Sequence, residues 1–157
     1  MVCDFNKLLS YSLKILSRKD YSVFEIKERL FKRCEDSRIV ESVISKLLSI
    51  KALDDERFVE NFVDVKINRG WGPVRIGYEL KKRGIDEALY SPVIEKKYSD
   101  KRIRENILKN IKKWLRTKGE ITNFKDSKRL FDHLLRLGFD RENILDILKN
   151  YENINLE

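Results

Sequence analysis

Few side chains in this sequence are of the types that do covalent or acid–base chemistry. His133 is the only histidine, set between the acidic Asp132 and the apolar Leu134. A general base is conceivable there, but a partly buried or solvated imidazole is the better reading. Cys3 and Cys34 have no metal-ligand spacing, and neither stands beside a sequence cue for thiolate activation. Both are expected to be reduced, in a cytosol, with Cys34 in a packing role. Gly70-x-Gly72 lacks the preceding strand and the following Gly-Lys of a phosphate-cradling loop. The carboxylates of Asp54 and Asp55 fit the electrostatics of a helix start. The sequence therefore predicts no catalytic residue, no metal site and no cofactor.

What it does concentrate is positive charge. The formal balance is +8, with 34 Lys and Arg against 26 Asp and Glu. From Lys66 to Arg83 six bases (Lys66, Arg69, Arg75, Lys81, Lys82, Arg83) meet one acid, Glu79. From Lys101 to Lys118 eight bases meet one acid, Glu105. A solvated helix face ordinarily mixes both signs, as Lys27-Glu28-Arg29 does. Segregation of this kind points to a polyanion or an acidic protein surface as partner. The candidate contacts are the six bases of the first run with Arg102, Lys109, Lys112, Lys113 and Arg116 of the second.

The elements that must position them are helices. Apolar residues recur at helical spacing almost throughout, and no run alternates as a strand does. In the stretch from Leu53 to Ile85, Asp54 can cap a helix whose apolar face is Phe58, Val59, Phe62, Val63 and Val65. Gly70 closes it with a left-handed cap. Gly72-Pro73 restarts the chain, because Pro at the first helical position loses no hydrogen bond. The next helix buries Ile76 and Leu80 and ends on a second left-handed cap, Gly84. Gly77 in its interior suggests a close helix crossing. Trp71, at the turn, is read either as a partner contact or as packing between helices.

Upstream, Phe5, Leu8, Leu9, Leu13 and Leu16 define a first helix ending near Arg18-Lys19, Ser22 with Glu25 forms a capping box on a second, and Asp36 or Ser37 caps a third. The third carries a stripe of Ile39/Val40, Val43/Ile44 and Leu47/Leu48. Sliding the chain by about 50 residues brings Tyr21-Ser22 onto Trp71-Gly72, Ile26 onto Ile76 and Leu30 onto Leu80. A further offset of about 54 brings Leu80 onto Leu134 and Gly84-Ile85-Asp86 onto Gly138-Phe139-Asp140. The expected fold is all-α: an elongated, curved array of three tandem three-helix repeats, nine helices in all. The repeats span 1–52, 53–99 and 100–157. In the third, Ile103, Ile107, Ile111, Trp114 and Leu115 are expected to be buried, then Leu130, Phe131, Leu134 and Leu135, then Ile144, Ile147 and Leu148. Pro92 leaves two options for the sixth helix, a kink or a fresh start capped by Ser91. The connection at 117–124 is the expected mobile loop. No apolar run approaches the ~18–20 residues of a membrane span, and the N-terminus lacks a signal-peptide pattern. A soluble, cytoplasmic protein is expected.

Three segments carry a family resemblance: L-D-D-E-R-F at 53–58, R-G-W-G-P at 69–73 and E-L-K-K-R-G-I at 79–85. Together they closely resemble the signature of RecX, the bacterial regulator of the RecA recombinase. Arg18-Lys19-Asp20-Tyr21-Ser22 with Glu25 looks like that family's opening turn, and Leu134 to Phe139 like its third-copy ending. Leu137 departs from the pattern, standing where a base is usual, and Val74 and Gly77 depart from a segment that is commonly more basic. The resemblance implies a curved helical stack lying in the groove of the RecA–DNA filament. It implies a monomer that inhibits strand exchange, ATP hydrolysis and co-protease activity in recombination and SOS repair, with no enzymatic activity of its own. The implied partners are the RecA filament and single- and double-stranded DNA. The alternative is a helical module that binds DNA directly without RecA.

Overall fold

A computed structural model describes residues 3–155, with side chains as far as Tyr151. Nine helices form among the described residues, and no strand: α1 (Phe5–Leu16), α2 (Val23–Phe31), α3 (Ser37–Ser49), α4 (Asp55–Asn68), α5 (Pro73–Lys82), α6 (Glu87–Lys97), α7 (Asp100–Lys118), α8 (Phe124–Leu137) and α9 (Arg141–Asn155). This is the expected all-α repeat architecture. The helix starts follow from side-chain oxygens that meet otherwise unpaired amides. Asp4 accepts from Lys7 N–H, Asp36 from Arg38 N–H, and Asp54 from Arg57 N–H. Ser22 and Glu25 form the full capping box. Gly70, Gly84 and Gly138 all take positive φ at helix ends. Past Gly84 the chain folds back, with Ile85 N–H donating to Leu80 C=O and the Ile85 side chain buried. α6 passes through Pro92 as one helix, so the fresh start at Ser91 does not occur.

The helices gather into two compact units. The first comprises Met1–Asn61 with Leu80–Tyr90. Its core is built on Leu8 of α1, Ile26 and Leu30 of α2, and Val40, Val43, Ile44 and Leu47 of α3, with Leu53 beneath them. Fully burying such an aliphatic side chain is worth about 1.5–3 kcal/mol, so this small set dominates the unit. The Ser22 hydroxyl donates to Arg83 C=O at 2.6 Å, and Val23 N–H donates to the Asp55 carboxylate at 2.9 Å. The turn after α5 and the start of α4 thus both dock on the N-terminus of α2.

One expectation about this unit is corrected. Cys3 and Cys34 are not two reduced thiols: they form a disulfide, with Cα atoms 5.2 Å apart and a sequence separation of 31. Cys34 does pack in the core, but as half of a cross-link that holds the segment before α1. Sequence spacing held no sign of this, because only the fold brings the two positions together.

The second unit comprises Phe62–Glu79 with Ser91–Glu157. Ile67, Ile103, Ile107, Ile111, Leu130, Leu134, Phe139, Ile144 and Ile147 are buried in it. Several residues expected on buried stripes lie at their margins instead. Val65 is 46% exposed and Leu135 40%, as is Leu48 at 44% in the first unit. Val65 is two positions from the buried Val63 and Ile67, on the opposite side of α4. Leu135 and Leu48 adjoin the residues that take the buried place, Leu134 and Leu47, because a 3.6-residue period brings only part of an apolar pair fully inward. Phe131, Leu148, Trp114 and Leu115 are half-buried for the same reason.

Candidate polyanion interface

The cations singled out from the sequence fall into groups with different surroundings. The first surrounds Trp71. Its ring carries the Arg75 guanidinium at 3.7 Å and the Lys66 ammonium at 4.2 Å from the centroid. Its carbonyl accepts a 2.8 Å hydrogen bond from Tyr98 OH. The aromatic one repeat earlier, Tyr21, likewise carries Arg29 at 4.8 Å and Lys19 at 5.1 Å. Such contacts are worth about 0.5–1 kcal/mol at exposed sites. The recurrence places Trp71, Lys66 and Arg75 in a structural element of the turn.

Gly72 and Pro73 complete that turn. Pro73 opens α5. Gly72 N–H donates to Leu137 C=O at 2.6 Å and Val74 N–H to Gly138 C=O at 3.0 Å. A Cβ at position 72 would run into the Gly138 backbone. Sequence alone suggested a chain restart at Gly72; the close backbone approach is an additional reason for glycine there.

The second group ends α5. Lys81 and Lys82 are exposed, whereas Arg83 is half-buried and ion-paired with Glu25 at 2.5 Å. Gly84 takes φ +71°, and an added Cβ would strike the Phe24 side chain.

The third group is α7, where three stripes run side by side. Ile103, Ile107 and Ile111 are buried. Arg102, Asn106 and Asn110, at i, i+4 and i+8, face the C-terminal end of α4. Arg102 donates to Asn68 Oδ1 and to Lys97 C=O, each at 3.2 Å; Asn106 donates to Ile67 C=O at 3.1 Å; Asn110 donates to Gly70 C=O at 3.0 Å. Gly70 and Trp71 N–H already close α4 onto Ile67 and Lys66 C=O; the stripe adds side-chain donors to Ile67 and Gly70 C=O and joins Asn68 to the end of α6. Lys109, Lys112 and Arg116, at i, i+3 and i+7, form an outward stripe and are exposed. Arg104, on the same helix, meets Asp146 at 3.1 Å.

Arg69 and Lys113 come together in a cleft of about 670 Å³ between α7 and α8. There the structure adds cations that the sequence reading did not single out as contacts: Lys118, Arg129 and Arg136. His133 joins them. Burial, then the charges of Arg136 and Lys113, hold its imidazole below the ordinary histidine pKa. The signal was present in the sequence as helical spacing on α8, where positions 129, 133 and 136 share a face. No group of His, Cys, Asp and Glu among the described residues is arranged to hold a metal ion. No helix among them is long and apolar enough to cross a membrane.

The first and second three-helix domains of RecX match residues 9–47 and 54–91. The chain belongs to the RecX family. The regulatory protein RecX of Legionella pneumophila (strain Corby) is 28% identical over 147 residues, covering 94% of this chain and 96% of that one. RecX of Halorhodospira halophila is 36% identical over 84 residues, 54% of this chain and 52% of the relative. The crystal structure of RecX from Lactobacillus salivarius superposes with a TM-score of 0.81 at 21% identity, over 94% of this chain and 96% of that chain. That likeness bears on the fold. The chain is thus a member of a family of regulatory proteins, built as a helical repeat.

Proposed function

We propose that this chain binds the RecA–DNA filament and restrains it, mainly by inhibiting strand exchange, ATP hydrolysis and co-protease activity. The observation that carries the reading is the outward stripe of Lys109, Lys112 and Arg116 on a chain whose first two repeats match RecX domains. A stripe of one sign steers a protein toward phosphate and acidic surface. Exposed apolar surface supports a protein partner as well as a nucleic acid: Val74 and Tyr78, one turn apart on α5, are each 62% exposed. Tyrosine is enriched at protein interfaces. The protein works on this reading as a cytoplasmic binding subunit with no reaction of its own.

The test is the ATPase activity of RecA on single-stranded DNA, titrated with the purified chain. Inhibition near stoichiometric ratios is expected, and reversal of Lys109, Lys112 and Arg116 to glutamate should weaken it by about tenfold or more. An unchanged ATPase rate at a molar excess of the wild-type chain would overturn the proposal.

A further inference from the structure

The facing stripes of α7 and α8 carry charge where an apolar seam would close the gap. α7 turns Lys113, Trp114 and Lys118 to the cleft; α8 turns Arg129, His133 and Arg136 to it. With Arg69, five cations meet one carboxylate, Asp126. That carboxylate is already engaged, accepting from the Thr122 hydroxyl at 3.1 Å and lying 3.9 Å from Arg129. Like charges gathered in one cleft repel and weigh against the fold. A bound anion would reverse that effect, and a one-sign cleft focuses the field that attracts it. Beside the cations Trp114 is half-buried and offers a flat aromatic surface, on which a base stacks for about 1–3 kcal/mol.

We propose that the cleft between α7 and α8 binds a nucleotide unit, its phosphate among Lys113, Arg129 and Arg136 and its base against Trp114. The site deepens the filament reading and rests on it in taking nucleic acid as the source. The same chemistry, a phosphate ester joined to a planar base, is offered by single-stranded DNA and by a free nucleotide. Binding carries a proton signature. His133 faces Arg129, Arg136 and Asp126 of its own helix, Lys113 and Lys118 of α7, and Arg69 after α4. Burial and the neighbouring cations favour its neutral form; a phosphate among those cations screens them and raises its affinity for a proton.

His133 is the only histidine, so its ring protons give an unambiguous NMR titration in the intact chain. The titration is run alone and with inorganic phosphate, thymidine monophosphate or a thymidine hexanucleotide. The hexanucleotide should raise the His133 midpoint by about half a unit or more. Lys113→Glu and Arg136→Glu should each weaken its binding by about tenfold, and Lys149→Glu, the same charge change on α9, by less than about twofold. Lys113→Gln, milder than reversal, should fall between and keeps the test open if a reversed variant misfolds. Monophosphate and hexanucleotide acting alike would assign the site to free nucleotide; the hexanucleotide acting alone would assign it to the strand. Three results overturn the site: an unmoved His133, a response to inorganic phosphate equal to that of either nucleotide, or equal weakening by Lys149→Glu. An unmoved His133 with RecA inhibition intact removes the cleft and spares the filament reading. A shifted His133 without RecA inhibition does the reverse.

Discussion

Arg83 donates to the Glu25 carboxylate at 2.5 Å across 58 residues of chain, and the corresponding positions in the later repeats are Leu137 and Arg75. The same docking recurs around both. In the first unit the Ser22 hydroxyl donates to Arg83 C=O, and Gly84 lies against Phe24. In the second, Gly72 N–H donates to Leu137 C=O, and Gly138 lies against Arg75. Each time, the turn ending the second helix of one repeat seats on the start of the second helix of the repeat before it. Because that start carries Glu25 in one case and Arg75 in the other, a base suits position 83 and a neutral side chain suits position 137.

The Glu25–Arg83 pair should couple measurably. Both side chains are mostly removed from solvent, at 20% and 26% exposure, so the coupling exceeds that of a surface pair yet stays below a fully buried one. A double-mutant cycle with Glu25→Gln and Arg83→Gln should give about 1–2 kcal/mol by urea denaturation. Glutamine keeps the capping box, so the cycle reports charge and not the cap. In the other unit, Leu137→Arg should destabilise and Arg75→Glu added to it should restore part of the loss. No restoration would mean that the two docking sites are not equivalent.

Glycines at the docking site and away from it should differ. Gly138 has φ +97°, and an added Cβ there would meet the Arg75 backbone. At Gly72 the obstacle is the Gly138 backbone itself, which has no flexible side chain to move. Gly72→Ala and Gly138→Ala should each cost about 2–4 kcal/mol, from overpacking and, at 138, a strained φ. Gly119 also has positive φ, +87°, with nothing within 4 Å of an added Cβ, so Gly119→Ala should carry the backbone cost alone, about 1–3 kcal/mol at ψ −173°, and fall below the other two. Thermal melts of the three variants check this order.

Much of this was legible in the sequence, for identifiable reasons. Helix starts are local: Ser22 and Glu25, or Asp54, cap amides within three residues, and the chain spells them out. The repeat was legible because the docking turn reuses the same residue types. The candidate surface was legible only as charge. Spacing alone could not tell that Arg102 would bridge Asn68 and the Lys97 carbonyl, that Arg83 would pair with Glu25, or that Lys66 and Arg75 would lie over Trp71. These are contacts across 34 residues for Arg102 with Asn68 and 58 for Arg83 with Glu25, decided by packing. What remains outward on α7 is the stripe of Lys109, Lys112 and Arg116, which helical periodicity does separate from its neighbours.

Tyr98 should be the alkaline weak point of the second unit. It is buried, donates to Trp71 C=O at 2.8 Å and accepts from Asn106 Nδ2 at 2.7 Å. Burial pushes its pKa up to about 12, against the opposing pull of the Asn106 hydrogen bond and the Arg102 charge. A phenol raised in the folded state contributes stability that is fully present below pH ~10 and lost as the pH climbs through its folded value. Tyr98→Phe should therefore cost about 1–2 kcal/mol at neutral pH through the donor lost to Trp71 C=O. It should also flatten the decline in stability above pH ~10. An alkaline melting series that is parallel for both proteins would count against the assignment.

Asp55 works in the opposite sense at neutral pH. Burial raises its pKa; the Val23 N–H lowers it, and the charges of Asp54 and Glu25 raise it further. The fold thus favours the protonated form, so this contribution is present below the unfolded carboxylate pKa and lost as pH rises through the folded one. At neutral pH the charged Asp55 weighs against the first unit. Asparagine retains an acceptor for Val23 N–H without the charge. Asp55→Asn should raise the urea midpoint at pH 7, with the advantage shrinking toward zero as the pH falls below ~4. A midpoint that is lower at pH 7 would show that the charge itself is needed at the start of α4.

The Cys3–Cys34 disulfide should set how firmly the segment before α1 is held. It closes a 31-residue separation, for which loop entropy alone amounts to about 3.7 kcal/mol. Cys3→Ser is the informative variant: Cys3 is only half-buried, whereas Cys34 is buried in the core, where serine would add an unpaired hydroxyl. In non-reducing buffer Cys3→Ser should melt roughly 7–15 °C below the parent, taking about 2–4 °C per kcal/mol for a chain of this size. With a reductant present the two should converge, since both then lack the cross-link. Alkylation followed by mass measurement gives an independent check, with no thiol labelled in the native oxidised chain and two after reduction. The cost should fall on the first unit, which holds both cysteines, while Tyr98 in the second keeps its titration unchanged. A Cys3→Ser melt equal to that of the oxidised parent would mean that the capping and core contacts of α1 hold this segment without the bond.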